Sequence, residues 1–155
     1  MADFIHLTNK TEYSLSEGAL PIARIAELCQ SFSMPAVGIS DNNNMFGALE
    51  FSEQIAKVGV QPILGCNLKI KTPKEYLHEN IEDNDLYFFL NIFSKSKEGY
   101  ENLLKCISNA YTLHKGNAYA TVDDLIRYKE GLIILSGGNN SILTHSTGHM
   151  ITKQS

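Results

Sequence analysis

The side chains of this sequence that could do chemistry are a few acidic and imidazole groups near the ends of short apolar runs. A hydrolytic metal centre needs several deprotonated carboxylate or imidazole ligands that converge on one cation, because neutral amides and hydroxyls cannot balance its charge. His6 and Asp41 meet this requirement, and Glu17 is a third candidate. The residues alone therefore predict a polar pocket without a complete catalytic set.

Lys10 is a second argument against a bound metal ion. An ammonium about 4 Å from a divalent cation is repelled by about 8 kcal/mol at an effective dielectric constant of about 20. We therefore expect Lys10 to occupy a cation position itself and to pair with Asp41.

Several of these candidates also have a purely structural interpretation. Aspartate is favoured at helix N-caps and in Asx turns, so these preferences alone predict that Asp41 caps the helix that follows it. His6 is more often a hydrogen-bonded histidine at a strand end than a metal ligand. His145 and His149 have the spacing of a helical metal pair, but Gly148 and the missing intervening glutamate indicate incidental histidines of a C-terminal tail.

Glycine and cysteine residues add no further site. Residues 136–138 could bind an anion through backbone N–H groups, but no Gly-Lys-Ser/Thr follows, so a turn is expected. Cys29, Cys66 and Cys106 are odd in number and include no Cys-x-x-Cys pair. They indicate buried free thiols of a reducing cytoplasm rather than a disulfide framework or a zinc site.

Alternating strands and helices would position these residues. Apolar periodicity predicts strands over residues 4–7, 36–39, 62–70, 86–93 and 132–135, and helices over residues 20–32, 46–58, 99–113 and 121–128. This alternation implies an α/β fold of right-handed parallel units, as an open sheet or a barrel. Active sites of such folds lie at the C-terminal ends of strands, here residues 6–10, 41–44, 66–67 and 136–138.

The composition is typical of one ordinary folded domain, with 155 residues of which 43% are hydrophobic and 19% charged. A formal net charge of -4 provides no general basic surface, so autonomous nucleic-acid binding is not expected. Any DNA contact would be local or supplied by a partner. The apolar runs are too short to span a membrane and no signal peptide begins the chain, so a cytoplasmic protein is expected.

Five segments, in order, resemble the N-terminal PHP domain of bacterial DNA polymerase III alpha subunits. They are F-I-H-L-x5-Y-S-L-S-E-G at residues 4–18, M-P-A-V-G-I-S-D-N-N-N-M-F-G at 34–47, G-V-Q-P-I-L-G at 59–65, G-Y-E-N-L-L-K-C-I-S-N-A-Y at 99–111 and E-G-L-I-I-L-S-G-G at 130–138.

The resemblance implies a distorted β/α barrel that is only partial here, because fewer strands are predicted than the barrel needs. Residues 1–138 are expected to form the partial PHP domain, and residues 139–155 a poorly structured tail. The polymerase palm of the family would lie beyond residue 155. The expectation is therefore a truncated product, a deliberately made fragment or the remnant of a disrupted gene.

The metal-binding positions of the family are largely filled by residues that cannot act as ligands. In this sequence the family's positions fall on Thr8, Lys10, Glu17, Asp41, Asn42 and Asn67, of which Glu17 and Asp41 keep an acidic side chain. The H-x-H pair of the family falls on the first two, its Asp-His pair falls on Asp41 and Asn42, and a further acidic position falls on Asn67. By resemblance, no bound metal, no cofactor and no catalytic residue are expected.

Such erosion is similar to that in alpha subunits whose PHP domain is a scaffold that stabilises the polymerase and docks a separate proofreading exonuclease. The resemblance thus implies an inactive scaffold and docking module of DNA-directed DNA polymerase lineage. Its expected partners are the remainder of the replicase and the exonuclease subunit. The alternatives are a metal-dependent phosphoesterase or proofreading exonuclease of the same superfamily, and an inert product of a disrupted gene with unpaired strand edges.

Overall fold

A four-stranded mixed sheet is the central element of the chain. The computed structural model describes residues 4–14, 20–74, 87–114 and 116–136. Within them the strands are β1 (Ala36–Asn42), β2 (Gln61–Lys71), β3 (Tyr87–Ser94) and β4 (Leu132–Leu135). Their order is β1-β2-β3-β4, with β1 parallel to β2 and with β3 antiparallel to both of its neighbours. The predicted α/β class is confirmed.

The expectation of parallel strands is correct for β1 and β2 and wrong for β3 and β4. Lys71, the last residue of β2, lies opposite Tyr87, the first residue of β3, so the chain returns along the strand that it has just formed. Apolar periodicity reports which side chains are buried and is blind to strand direction, so it cannot distinguish the two topologies.

The first predicted strand, residues 4–7, is not a regular strand. The backbone N–H groups of Gly38 and Ser40 donate to the carbonyls of His6 and Asn9 at 2.8 and 2.9 Å. Only an isolated parallel bridge is formed there rather than a ladder. The segment nevertheless runs beside β1, and this places the residues after His6 next to the C-terminal end of that strand.

Four helices lie within the described ranges, and each begins and ends within two residues of its predicted bounds. They are α1 (Ile22–Ser31), α2 (Ala48–Lys57), α3 (Lys97–Leu113) and α4 (Val122–Arg127). Gly59 follows α2 with a φ of +77°, a conformation that glycine adopts without strain. None of these helices is long and apolar enough to cross a membrane.

The two faces of the sheet differ in polarity. Side chains on one face are buried against α1, α2 and α3, and include Val37, Ile39, Leu68, Ile70, Leu90 and Ile92. The opposite face, called the polar face below, carries the alternate residues of β1, β2 and β3. These are Ser40, Asn42, Asn67, Lys69, Lys71, Tyr87, Phe89 and Asn91, most of them half-buried.

Four apolar residues that periodicity places in the core are exposed instead. Leu49 of α2 is 72% exposed and Leu104 of α3 is 38% exposed. The four consecutive apolar residues of β4 predict a buried strand, yet Ile133 is 48% exposed and Ile134 is 42% exposed. β4 is the last strand of the described sheet and has a neighbouring strand on one side only, and a short apolar run does not reveal that edge position.

Candidate functional site

Asp41 is the centre of a buried polar cluster at the end of β1. Its side chain is fully buried, and its Oδ1 accepts hydrogen bonds from the Thr11 N–H at 2.7 Å and from Ser14 Oγ at 2.6 Å. Its Oδ2 accepts a hydrogen bond from Thr11 Oγ1 at 2.7 Å. These three donors replace the water that the carboxylate loses on burial. The end of β1 is thereby fixed to the loop of residues 11–14.

The prediction that Asp41 caps the following helix is wrong. Asp41 belongs to β1, and the N-cap position of α2 is Gly47. Asn44 has the Asx-turn role, because its Oδ1 accepts a hydrogen bond from the N–H of Phe46 at 3.2 Å. As β1 continues through Asn42, the Asp41 side chain reaches a neighbouring segment rather than α2.

The Lys10 ammonium lies beside the same strand end. Its Nζ donates to the Ser40 carbonyl at 2.6 Å and to Asn42 Oδ1 at 2.5 Å. The arrangement differs from the predicted direct pairing. The ammonium is bonded to the residues before and after Asp41, whereas the carboxylate is bonded to the loop of residues 11–14. One fixed positive charge is therefore part of the cluster.

Amide groups extend the cluster across the polar face. Asn67 Nδ2 donates to Asn42 Oδ1 at 2.9 Å, and that oxygen also accepts the Lys10 hydrogen bond. Ser40 Oγ donates to Asn91 Oδ1 at 2.5 Å. These contacts join β1, β2 and β3 through neutral side chains, which offer dipoles but no negative charge.

Cys66 is a thiol beside the cluster and is not poised to react. It pairs in register with Asp41 and is fully buried. Burial raises the pKa of Cys66 to about 12, although the nearby Lys10 charge opposes this rise. The neutral thiol therefore predominates at neutral pH, whereas metal binding and nucleophilic attack need the thiolate. Cys29 and Cys106 are likewise buried and free, as predicted.

Four of the six predicted site positions come together in the structure, namely Lys10, Asp41, Asn42 and Asn67. Thr8 is exposed to solvent. Glu17 lies outside the described residues, so its predicted place at the site stays a prediction.

The other sequence candidates do not join this cluster in the part of the chain that the structure describes. His6 is exposed, and its ring packs edge-on against Phe4 with ring centres 4.7 Å apart. Gly137, His145 and His149 lie outside the described residues. The proposed turn and the incidental histidines stay predictions.

The donor set does not fit a divalent metal ion. Across residues 4–14, 20–74, 87–114 and 116–136, no three His, Cys, Asp or Glu side chains come close enough to hold one. Both Asp41 oxygens are occupied by hydrogen bonds, and the Lys10 ammonium would oppose a second cation. The arrangement can order neighbouring strands, but it offers no group that would activate water.

Sequence reasoning missed three residues of the cluster. Thr11 and Ser14 lie in an irregular loop, where periodicity gives no signal. Their i and i+3 hydroxyls are typical of a local turn, and Thr11 Oγ1 does accept from the Tyr13 N–H at 3.2 Å. Asn91 had a detectable signal, since it is the single amide within the apolar strand β3.

The fold and the site together define a class of α/β domain. In this class the strand ends carry a buried aspartate, here Asp41, together with the Lys10 ammonium and the amides of Asn42 and Asn67. A family model of the PHP domain matches residues 6–151, and the chain belongs to that family. The resemblance found in the sequence motifs is confirmed. The residues present at this site do not fit the metal ion that the family implies.

Similar proteins include long polymerase subunits. DNA polymerase III subunit alpha of Rickettsia felis is 39% identical over 135 residues, which are 86% of this chain and 10% of that protein. The subunit of the same name from Haemophilus influenzae is 32% identical over 87% of this chain and 11% of its own length. The chain therefore spans about a tenth of these relatives.

A solved structure with a similar backbone is an amidohydrolase from Chromobacterium violaceum, with a TM-score of 0.49 and 12% identity. The match covers 97% of this chain and 50% of that one.

Proposed function

We propose that this chain is the PHP module of a replicative DNA polymerase alpha subunit in which a lysine ammonium replaces the metal ion. In this role it is an inactive scaffold and docking unit of the cytoplasmic replication machinery. The polymerase lineage is supported by the names of relatives that it matches over 86–87% of its length. The observation that carries the proposal is the position of Lys10 at the end of β1.

The Lys10 ammonium can order this site but cannot hydrolyse a phosphoester. It donates to two oxygens that flank a buried carboxylate, and so it supplies the positive charge that a metal ion would otherwise supply. An ammonium carries no exchangeable water molecule, so it generates no hydroxide nucleophile. The Lys10 ammonium thus provides the structural role of a bound cation but cannot activate water as a metal ion does.

Metal analysis tests this proposal. The full chain would be dialysed against zinc and manganese, measured by elemental emission, and checked for folding by circular dichroism. We expect well below one metal ion per folded chain, and no change in melting temperature on addition of EDTA. One metal ion per folded chain, or metal-dependent hydrolysis of bis(p-nitrophenyl) phosphate, would favour the phosphoesterase alternative instead.

A Lys10→Met variant sharpens the test, because methionine keeps an unbranched side chain of nearly the same length and removes the ammonium group. If the ammonium stabilises the site, this variant should lose about 1–3 kcal/mol of unfolding free energy. The matched control Lys57→Met removes an exposed charge from α2 and should change stability by less than about 0.5 kcal/mol. Equal effects of the two substitutions would contradict the proposed role of Lys10.

An exposed apolar patch near the site supports the docking role. Phe46, just before α2, and Leu49, in its first turn, are 74% and 72% exposed. Tyr13, whose ring lies beside Gly47, is 36% exposed. The Tyr13 hydroxyl donates to Glu50 at 3.1 Å, which fixes the loop against α2. Large apolar side chains grouped on a surface mark contact sites for other proteins. We propose this docking patch, formed by Tyr13, Phe46 and Leu49, as the contact for the proofreading exonuclease subunit.

A pull-down with the cognate exonuclease subunit tests the docking patch. The double variant Phe46→Ser/Leu49→Ser should retain at most about a tenth of the exonuclease that the original chain retains, because apolar anchors that become buried dominate such contacts. The control Tyr111→Ser/Leu113→Ser alters exposed apolar residues of α3 and should retain the normal amount. Failure of the folded, unmodified chain to retain the exonuclease would disprove the docking role.

A further inference from the structure

The polar face combines lysine and aromatic side chains beyond the Asp41 cluster. Lys69 and Lys71 lie on this face of β2, and their partners across the strand pair are Phe89 and Tyr87 of β3. The four strands contain a single acidic residue, Asp41, whose carboxylate is buried and enclosed by hydrogen bonds. Among the residues of the four strands, this face therefore carries lysine side chains and no exposed carboxylate.

A short segment before α4 extends this face beside β2. The Ala120 N–H donates to the Lys69 carbonyl, and the Ala120 carbonyl accepts from the Lys71 N–H, both at 2.9 Å. Ala120 is fully buried in the core, so the adjacent Tyr119 belongs to the polar side. The Tyr119 ring lies 5.3 Å from Lys71 Nζ and 5.2 Å from the centre of the Tyr87 ring.

Close contacts hold these groups in a defined arrangement. Lys69 Nζ lies 4.2 Å from the centre of the Tyr87 ring and donates to Asn117 Oδ1 at 2.9 Å. Asn117 Nδ2 in turn donates to the Tyr87 hydroxyl at 2.9 Å. Side chains that are already ordered lose less entropy when a ligand binds. The lysine–tyrosine cluster is the name used below for Lys69, Lys71, Tyr87, Asn117 and Tyr119.

We propose that the lysine–tyrosine cluster is a contact site for single-stranded nucleic acid. Two ammonium groups can pair with backbone phosphates, and the half-buried Tyr87 ring can stack against an unpaired base. The Tyr119 ring already stacks on His114, with ring centres 3.8 Å apart, and so forms one side of the site. A duplex hides the faces of its bases, and an acidic peptide would use the lysines without the rings. The combination of both residue types therefore favours a single strand over these two ligands.

This site is consistent with the overall negative charge of the chain. A net charge of -4 repels phosphates from most of the surface, so binding depends on the cluster and should be weak and sensitive to salt. The inference goes beyond the proposed scaffold role and does not depend on it, because neither lysine belongs to the Asp41 cluster.

Fluorescence anisotropy of a labelled oligothymidylate of about 16 nucleotides tests the inference, with the full chain, low salt and EDTA. Lys69→Ala/Lys71→Ala should weaken binding at least about tenfold and reduce the slope of log K against log salt by about 1.4, since each phosphate contact on a single strand contributes about 0.7. The charge-matched control Lys57→Ala/Lys129→Ala, on exposed residues outside the cluster, should stay within about twofold of the original affinity.

The aromatic part of the site has its own variants. Tyr87→Leu should weaken binding about tenfold because it removes a stacking ring. Tyr87→Phe keeps the ring and loses only the hydroxyl that Asn117 contacts, so it should weaken binding clearly less than Tyr87→Leu. Absence of binding by the folded original chain, or an equal loss in the control pair, would overturn the inference. The inference would also be overturned if polyglutamate displaced the labelled oligothymidylate as well as unlabelled oligothymidylate does and Tyr87→Leu bound normally. That result would assign the surface to an acidic protein. Because EDTA is present throughout, these outcomes are independent of the metal analysis.

Discussion

Asp41 is the single residue on which the candidate site depends most. Its carboxylate is fully buried and accepts three hydrogen bonds, two of them from Thr11. Asp41→Ala would leave these donors without an acceptor and would remove the buried negative charge of the cluster. Breaking a buried charged network of this kind costs about 3–5 kcal/mol. Urea denaturation followed by circular dichroism should show a loss of that size.

Two milder variants provide the controls for Asp41. Asp41→Asn keeps one oxygen acceptor and the shape of the side chain, so its loss of unfolding free energy should lie between those of the original chain and Asp41→Ala. Thr11→Ser keeps the hydroxyl that reaches Asp41 Oδ2 and should cost less than about 1 kcal/mol. An Asp41→Ala variant as stable as Thr11→Ser would mean that the cluster does not stabilise the fold.

At the residue scale, the sequence predicted which site positions meet but not how they bond. Lys10, Asp41, Asn42 and Asn67 follow from strand ends and from motif resemblance, and the structure brings them together. The hydroxyl donors to Asp41 could not be predicted, because they lie in an irregular loop whose path depends on tertiary contacts. Direct pairing of Lys10 with Asp41 was expected from charge alone, yet hydrogen-bond geometry gives each group other partners.

At the element scale, the Thr-x-x-Asp spacing of Thr121 and Asp124 predicts a capping box at the start of α4, and the structure contains one. The Thr121 hydroxyl accepts from the Asp124 N–H at 3.2 Å, and the Asp124 carboxylate accepts from the Thr121 N–H at 2.9 Å. Burial alone would raise the pKa of Asp124, but hydrogen bonds from Thr121 and Asn109 hold it below its ordinary value of 3.8. The ionised carboxylate is thus the form that the folded protein favours.

Thr121→Ala tests this cap and its pH dependence. The substitution should cost about 1 kcal/mol at neutral pH, as is usual for loss of an N-cap hydroxyl. Because the folded pKa of Asp124 is lowered, its contribution is complete above pH 3.8 and is lost as the pH falls through the folded value. The difference in urea midpoint between Thr121→Ala and the original chain should therefore narrow in acid.

The control for the cap is Thr121→Ser, which keeps the hydroxyl and should unfold almost like the original chain at every pH. A stability difference for Thr121→Ala that stayed constant from about pH 7 to about pH 3 would show that ionised Asp124 is not part of the capping energy. The remaining effect would then reflect helix propensity and packing alone.

Apolar periodicity predicted the positions of helices and strands better than it predicted which of their side chains are buried and how the strands are arranged. Helix α1 has Ile22, Ile25, Ala26 and Cys29 buried as its spacing indicates. Leu49 fits the same period in α2 and is nevertheless 72% exposed. A helical period identifies which residues share a face, whereas the width of the buried stripe depends on the elements packed against it. Strand direction and edge position are set by chain topology and leave no local pattern.

At the scale of the whole molecule, β4 determines how the described sheet meets its surroundings. It is the last strand in the order β1-β2-β3-β4, and its sequence L-I-I-L contains none of the charges or prolines that usually protect an edge. Ile133 and Ile134, on opposite faces of the strand, are both more than 40% exposed. Such an edge is a template for pairing with a second chain.

We therefore expect the chain to associate as its concentration rises, and the association to depend on β4. Light scattering after size exclusion should give a mass that grows above the 17.2 kDa of one chain, whereas Ile134→Lys should remain near that mass because a charge on an edge strand opposes pairing. Ile126→Lys, at a residue of α4 that is 60% exposed, removes comparable apolar surface away from the edge and should associate like the original chain.

If the original chain stays monomeric at all concentrations, the β4 edge is protected. The hypothesis that the chain is an inert product with unpaired strand edges then loses its main physical support. If Ile126→Lys prevents association as well as Ile134→Lys does, the association arises from general apolar exposure rather than from strand pairing.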